Sequence, residues 1–285
     1  MGSNMTFQHP ESSDKKKRSI QKQPYKVLEV PQLKDDFYLN LIDWSQNNHV
    51  AVGLQSSLYV WSGCSSRVQK IYSSEDYSDY ICSVAFGKNN PYLAFGNTSG
   101  EVQLFDLNKN KQHTMFSNVH AGRIGSLGCT PNLISTGGRD GIITIQDYRT
   151  RTEVTSYKAH QQEICGLKWS PDFQMIASGG NDNKLVLYSL RMMNKMATFS
   201  EHKAAVKALS FDPNAPIIAS GGGTADRHIR FFSTQSLTEV YSIDTGSQVC
   251  NLMFSPISRE LVTTHGYSLN QINLWKVGDN CVEKL

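Results

Sequence analysis

The chain has 285 residues, 39% of them hydrophobic and 19% charged, with a formal net charge of +3. That length builds one large domain or two small ones, and the composition is that of an ordinary soluble globular protein. The charge excess is too small to argue for nucleic acid or an anionic membrane, and no apolar run reaches the ~18 residues of a membrane span, so neither partner is expected.

Residues 1–24 are polar and carry a basic run at Lys15, Lys16, Lys17 and Arg18. They read as a disordered basic lead-in without the apolar stretch of a secretory signal. The run fits either a nuclear-import signal or a solvated tail, and the expected localisation is nucleus and cytoplasm. The six cysteines, Cys64, Cys82, Cys129, Cys165, Cys250 and Cys281, form no C-x-x-C pair. They are expected to be reduced thiols, and neither a metal nor a cofactor is expected.

From residue 25 to residue 285 short apolar alternations are separated by Gly, Asn, Asp, Ser and Pro clusters, the pattern of many short strands joined by tight turns. One anchor recurs at the end of a strand-like run: Trp61, Phe105, Gln146, Tyr188, Phe232 and Trp275, in steps of 44, 41, 42, 44 and 43 residues. A period of about 40–45 residues is that of a four-stranded propeller blade. Within each unit an apolar strand such as Ile164–Trp169 is followed by a turn (Ser170-Pro171-Asp172), then a strand ending in small residues (Ser178-Gly179-Gly180). Six units result, roughly 37–75, 81–119, 124–159, 164–201, 206–246 and 249–285. The expected fold is therefore all-β, a WD-repeat β-propeller with six recognisable blades.

Three units share a polar constellation: His120 with Thr136 and Asp140, His160 with Ser178 and Asp182, and His202 with Ser220 and Asp226. Buried imidazoles need a partner at each ring nitrogen, which the hydroxyl and the carboxylate provide. Recurrence at the repeat period points to structural hydrogen-bond networks, because an active site is normally built once. Gln146, Tyr188 and Phe232 replace the usual tryptophan, so the networks are expected to be partial. Gly221-Gly222-Gly223-Thr224 lacks the lysine of a phosphate-binding loop. Cys82, Cys165 and Cys250 share one repeat position, which reads as core strand and not as nucleophile. No catalytic residue is assigned, and the chain is not expected to be an enzyme.

A family resemblance rests on longer segments. Pro24 to Pro31, and Asp35-Asp36-Phe37-Tyr38-Leu39-Asn40-Leu41-Ile42-Asp43-Trp44, resemble the entrance to the propeller of Fizzy and Fizzy-related proteins. Glu163 to Ser170, Ala177 to Lys184, Gly221 to Arg227, Asp244 to Leu252 and Thr264 to Ile272 are similar in the same way, the last two being closer to the Fizzy-related branch. These proteins are substrate-recruiting coactivators of the anaphase-promoting complex, a ubiquitin ligase. The resemblance implies binding of substrates through two short degrons, with Asp36 at the destruction-box arginine and Asp43, Asn181, Asn183 and Gln271 at the KEN box.

The sequence also departs from that family. Nothing in residues 1–24 matches its C-box, and the chain ends Glu283-Lys284-Leu285 instead of in an Ile-Arg tail. The family propeller has seven blades, and the resemblance makes the segment Tyr25 to Val30 the outer strand of an incomplete seventh. A fragment, a divergent six-bladed form and a protein completed by a partner all fit these departures. The leading expectation is a degron receptor in shortened form, and the rival is a non-activating scaffold or a competitor of full-length coactivators.

Overall fold

The computed structural model describes residues 23–24, 26–278 and 282–284. The basic run of the lead-in and Cys281 lie outside them. The described residues from Gln32 onward form one compact unit.

Within the compact unit the described residues form twenty-four strands, β1 to β24 in chain order, and no helix. Each successive set of four makes one antiparallel sheet, spanning 42–73, 81–116, 124–158, 164–199, 206–244 and 249–284. These six blades match the six sequence repeats. The strands are short, β14 (Met175–Gly180) being typical, and the turns between them are built on residues that tolerate a left-handed backbone. Asn48, Asn89, Asn110, Asn118 and Asn183 all have φ between 57° and 63° or, at Asn110, 48°.

The first strands of the blades are β1 (Ile42–Trp44), β5 (Ile81–Phe86), β9 (Ile124–Cys129), β13 (Ile164–Trp169), β17 (Val206–Phe211) and β21 (Val249–Phe254). They pack side by side in that order, which makes them the inner strands around a central channel. The apolar core lies between blades. Leu185, Leu187 and Phe199 of the fourth blade meet Val206, Leu209 and Phe211 of the fifth, all buried. Among the described residues no comparable packing joins the sixth blade back to the first. The end faces are correspondingly open: Ile42 and Trp44 are 53% and 59% exposed, Met253 and Ile272 are 68% and 75%.

One expectation is corrected. Residues 26–30 carry no strand. A strand exists only by pairing its backbone with a neighbour, and among the described residues there are no sister strands of a seventh blade. The sixth blade has a fourth strand of its own, β24 (Val282–Lys284), paired with β23 (Ile272–Val277).

The upper end of the channel, where the inner strands begin, is filled by the chain just before β1. In five blades the pairing of the inner strand skips its second residue, leaving Cys82, Gly125, Cys165, Lys207 and Cys250 as bulges. A bulged residue is free of the ladder and re-aims its groups. The Asn40 N–H donates to the Cys82 carbonyl at 3.1 Å, and the Val84 N–H donates to the Asn40 carbonyl at 2.9 Å. The Asn40 side-chain amide donates to the Gly125 and Cys165 carbonyls at 2.7 and 3.1 Å. The Lys207 ammonium donates to the Phe37 and Leu39 carbonyls at 2.6 and 2.7 Å. Glycine is required at position 125, since a Cβ there would stand 2.9 Å from the Tyr38 carbonyl oxygen. Asn40→Ala strips two inward carbonyls of a donor, and an unsatisfied buried group costs about 1–3 kcal/mol. The expected outcome is a loss of unfolding free energy of that size, read as a lower urea midpoint with an unchanged m-value.

Candidate peptide-binding surface

The segment that fills the channel also sets out charged groups at its upper mouth. Arg123, one residue before β9, donates from Nε and Nη2 to the two carboxylate oxygens of Glu163 at 2.7 and 2.8 Å. Its Nη1 donates to Asp36 Oδ2 at 2.8 Å. Asp36 Oδ1 accepts the Tyr38 N–H at 2.9 Å, the Tyr38 hydroxyl donates to Asn181 Oδ1 at 2.9 Å, and the Asn181 amide donates to Gln162 at 2.7 Å. Burial works against ionisation of Asp36, but the Tyr38 N–H and the Arg123 guanidinium outweigh it and hold the carboxyl below its usual range. The bidentate pair with Glu163 strengthens the Arg123 cation in turn.

Asp36 and Asn181 are thus linked through one network. Asn183 lies in the same hairpin, where its backbone N–H closes the turn on the Gly180 carbonyl at 3.2 Å. Gln271 lies in the corresponding hairpin of the sixth blade, where its carbonyl accepts the His265 N–H at 2.9 Å. Both hairpins join second and third strands, so both face the upper end. Asp43 does not. It stands level with the end of β5, accepting the Phe86 N–H at 2.7 Å, and it lines a cavity with Lys168 and Trp169 at the end of β13. The length of a six-residue strand, about 17 Å, separates the two ends. Sequence reading missed Arg123, Glu163, Tyr38 and Lys207. Only Lys207 left a trace, as a lysine at the repeat position that Cys82, Cys165 and Cys250 occupy.

The three histidine networks are made. His120 Nδ1 is 3.1 Å from Asp140 and Nε2 is 2.7 Å from Thr136. The corresponding distances are 2.8 and 2.8 Å in the His160 set and 2.6 and 2.6 Å in the His202 set. The carboxylates also accept the next backbone N–H, as Asp182 does from Gln161 at 2.9 Å. Glycine lets the ring in: a Cβ at Gly138 or Gly180 would lie 2.4 or 2.5 Å from the histidine Nδ1. Gln146, Tyr188 and Phe232 do not extend the chain. Gln146 Oε1 is buried without a hydrogen-bond partner, Tyr188 stacks on Tyr157 at 3.9 Å, and Phe232 meets Phe199 at 4.3 Å. A fourth network, not anticipated, occupies the sixth blade, where Trp275 Nε1 donates to Thr263 at 2.8 Å and His265 Nε2 lies 2.7 Å from the same hydroxyl.

Burial pushes the Cys82 and Cys165 thiols up to about 12, so both are protonated at neutral pH. Among the described residues no three His, Cys, Asp or Glu side chains are placed to hold a metal ion.

With this geometry in place, comparison with known proteins decides the family. Residues 28–284 match the family model of the CDC20/Fizzy WD40 domain. The chain belongs to that family. It is 46% identical over 264 residues to Protein FIZZY-RELATED 1 of Arabidopsis thaliana, covering 92% of this chain and 55% of the relative. It is 45% identical to the B-type cell cycle switch protein ccs52A of Medicago truncatula, covering 91% and 54%. It is 41% identical to the anaphase-promoting complex subunit cdc20 of Dictyostelium discoideum, covering 93% and 54%. A chain in a crystal structure of the mitotic checkpoint complex superposes with a TM-score of 0.89 at 35% identity, covering 92% of this chain and 83% of that one. The chain spans about half the length of the curated relatives it matches.

Burial pulls the His120 and His265 imidazoles below the ordinary histidine value of 6.5, with Asp140 opposing the shift at His120. As pH falls through that value the unfolded chain takes up protons that the folded chain refuses, so stability declines. Urea midpoints at pH 7.5 and 5.5 should fall in that order, and the drop should be smaller in His120→Gln.

Proposed function

We propose that the chain recruits substrate proteins to the anaphase-promoting complex by binding their destruction-box and KEN-box degrons, and that it performs no chemistry itself. The observation that carries this reading is Asp36: ionised, fixed at the upper mouth by Tyr38 and Arg123, in a chain of the CDC20/Fizzy family. A carboxylate offers about four lone-pair positions. Two are used here, which leaves Asp36 able to accept a further guanidinium from a destruction-box arginine beside Arg123. Asn181, Asn183 and Gln271 supply amides that both donate and accept, as recognition of a KEN glutamate and asparagine requires. Asp43 faces the other mouth and is left out of this surface. Working sites in the nucleus and cytoplasm follow from the same role.

A second reading, a non-activating scaffold or competitor of full-length coactivators, is favoured by the uncovered faces of the first and last blades. A ubiquitination assay separates the two: a recruiting activator stimulates the ligase, and a competitor leaves it unchanged or inhibits it.

Fluorescence anisotropy of labelled degron peptides against the purified chain tests the binding step directly. Asp36→Ala should weaken the destruction-box peptide about tenfold, the equivalent of one charge-assisted hydrogen bond at roughly 1.4 kcal/mol. Gln271→Ala should weaken the KEN peptide by a smaller factor and spare the other. Scrambled peptides binding as well as the degrons would sink the proposal.

A further inference from the structure

The lower end of the channel is built differently from the upper. Where the upper mouth is filled by the chain itself, the lower is a cavity of about 500 Å³ lined by the ends of inner strands from all six blades. Its walls include Phe86, Trp169, Phe173 and Phe211, and its charged groups are Asp43, Lys88 and Lys168. A second groove of about 310 Å³ runs outward between the first and second blades, past His49, Pro91 and Leu107. The two share Gln46, Phe86 and Lys88, so they adjoin.

The charges are unbalanced. One oxygen of the Asp43 carboxylate already accepts the Phe86 N–H. Among the described residues neither Lys88 nor Lys168 has a carboxylate within ion-pair distance, although both lie in this mouth. Lys168 is reached by water, yet the surrounding wall desolvates its ammonium and pulls it below the ordinary lysine range, with Asp43 opposing. A partly desolvated cation gains most from an incoming anion. Phe86, Trp169 and Phe211 in the wall of the mouth present flat apolar surfaces, the kind of anchor that carries peptide affinity.

We propose that this lower groove is a second peptide-binding site, separate from the upper face, which takes an extended partner segment carrying a carboxylate side chain next to an apolar one. The carboxylate sits between Lys88 and Lys168, and the apolar neighbour lies against the aromatic wall of the mouth. The shape selects a segment and excludes a bulky folded domain from the mouth, and the two ammoniums select acidic over neutral residues. This inference stands whether or not the upper face binds degrons.

The test titrates the blocked peptide acetyl-Ala-Leu-Glu-Leu-amide, and its counterpart with Gln in place of Glu, into the chain labelled with ¹⁵N-tryptophan. The indole N–H signal of Trp169 should shift with the Glu peptide while that of Trp275 stays in place. The Gln peptide should bind at least fivefold more weakly, and Lys168→Met should bring the Glu peptide to the same level. Lys88→Met, on an exposed turn, makes the same comparison should Lys168→Met lose its cooperative melt. Equal affinity for the two peptides, shifts confined to Trp275, or no shift at millimolar peptide would overturn the proposal.

Discussion

Six inner strands that meet around a channel each turn a row of backbone groups toward the axis with no neighbouring strand to pair them. That constraint governs the molecule, because buried carbonyls and amides must find partners. Segment 37–41 is the solution. It bonds in turn to Cys82, Gly125, Cys165 and Lys207, one position in each of four successive blades. The bulges at those positions turn the carbonyls inward and open the space the segment needs. Asp36 then stands at the channel mouth as a consequence, and Arg123 and Glu163 fix it there. The recognition geometry is thus an extension of the way the inner strands are satisfied.

The histidine networks show the opposite use of polar groups. Each ties a loop to the second strand of its own blade, and each is buried with both ring nitrogens occupied. Burial raises the cost of ionising Asp182 and Asp226, yet the hydrogen bonds they accept outweigh it and keep both carboxyls below their ordinary value. A group so fully partnered has no capacity left for a ligand. Features that recur from blade to blade hold the scaffold, and the side chains that occur once, Asp36, Arg123, Glu163 and Lys207, shape the surface.

That distinction explains what the sequence disclosed. The aromatic steps gave six blades with the right limits, and the recurring His, hydroxyl and Asp residues pair as their spacing implied, because each set is short-range and repeated. The Arg123–Glu163–Asp36 cluster joins residues up to 127 positions apart, occurs once, and leaves no periodic signal. Asp43 was grouped with Asn181 because segments of a family resemblance carry no information on which end of a strand a residue occupies. His265 escaped notice because it sits within a strand, whereas the other three histidines precede one. The segment at 26–30 is strand-like in composition, but a strand needs a partner and local composition does not provide one.

The same constraint ranks the parts of the surface by rigidity. The second to fifth blades are covered on both faces, and most of the bonds of segment 37–41 to the rest of the ring fall on these four, with one more, from the Gly53 N–H to the Leu41 carbonyl, on the first blade. Among the described residues the first and sixth have one covered face each, with Ile42, Trp44, Met253 and Ile272 left to solvent. Elements with fewer buried contacts open at lower free energy. Asp36 and Asn181 are therefore mounted on the most stable part of the ring, whereas Gln271 rides on a sheet that, among the described residues, only the fifth blade supports. Any protein or segment that covered the end face of the sixth blade would stiffen the Gln271 hairpin without touching it, and would raise affinity there by reducing the ordering that binding requires. Asp36, already held by blades on either side of its contacts, would gain little.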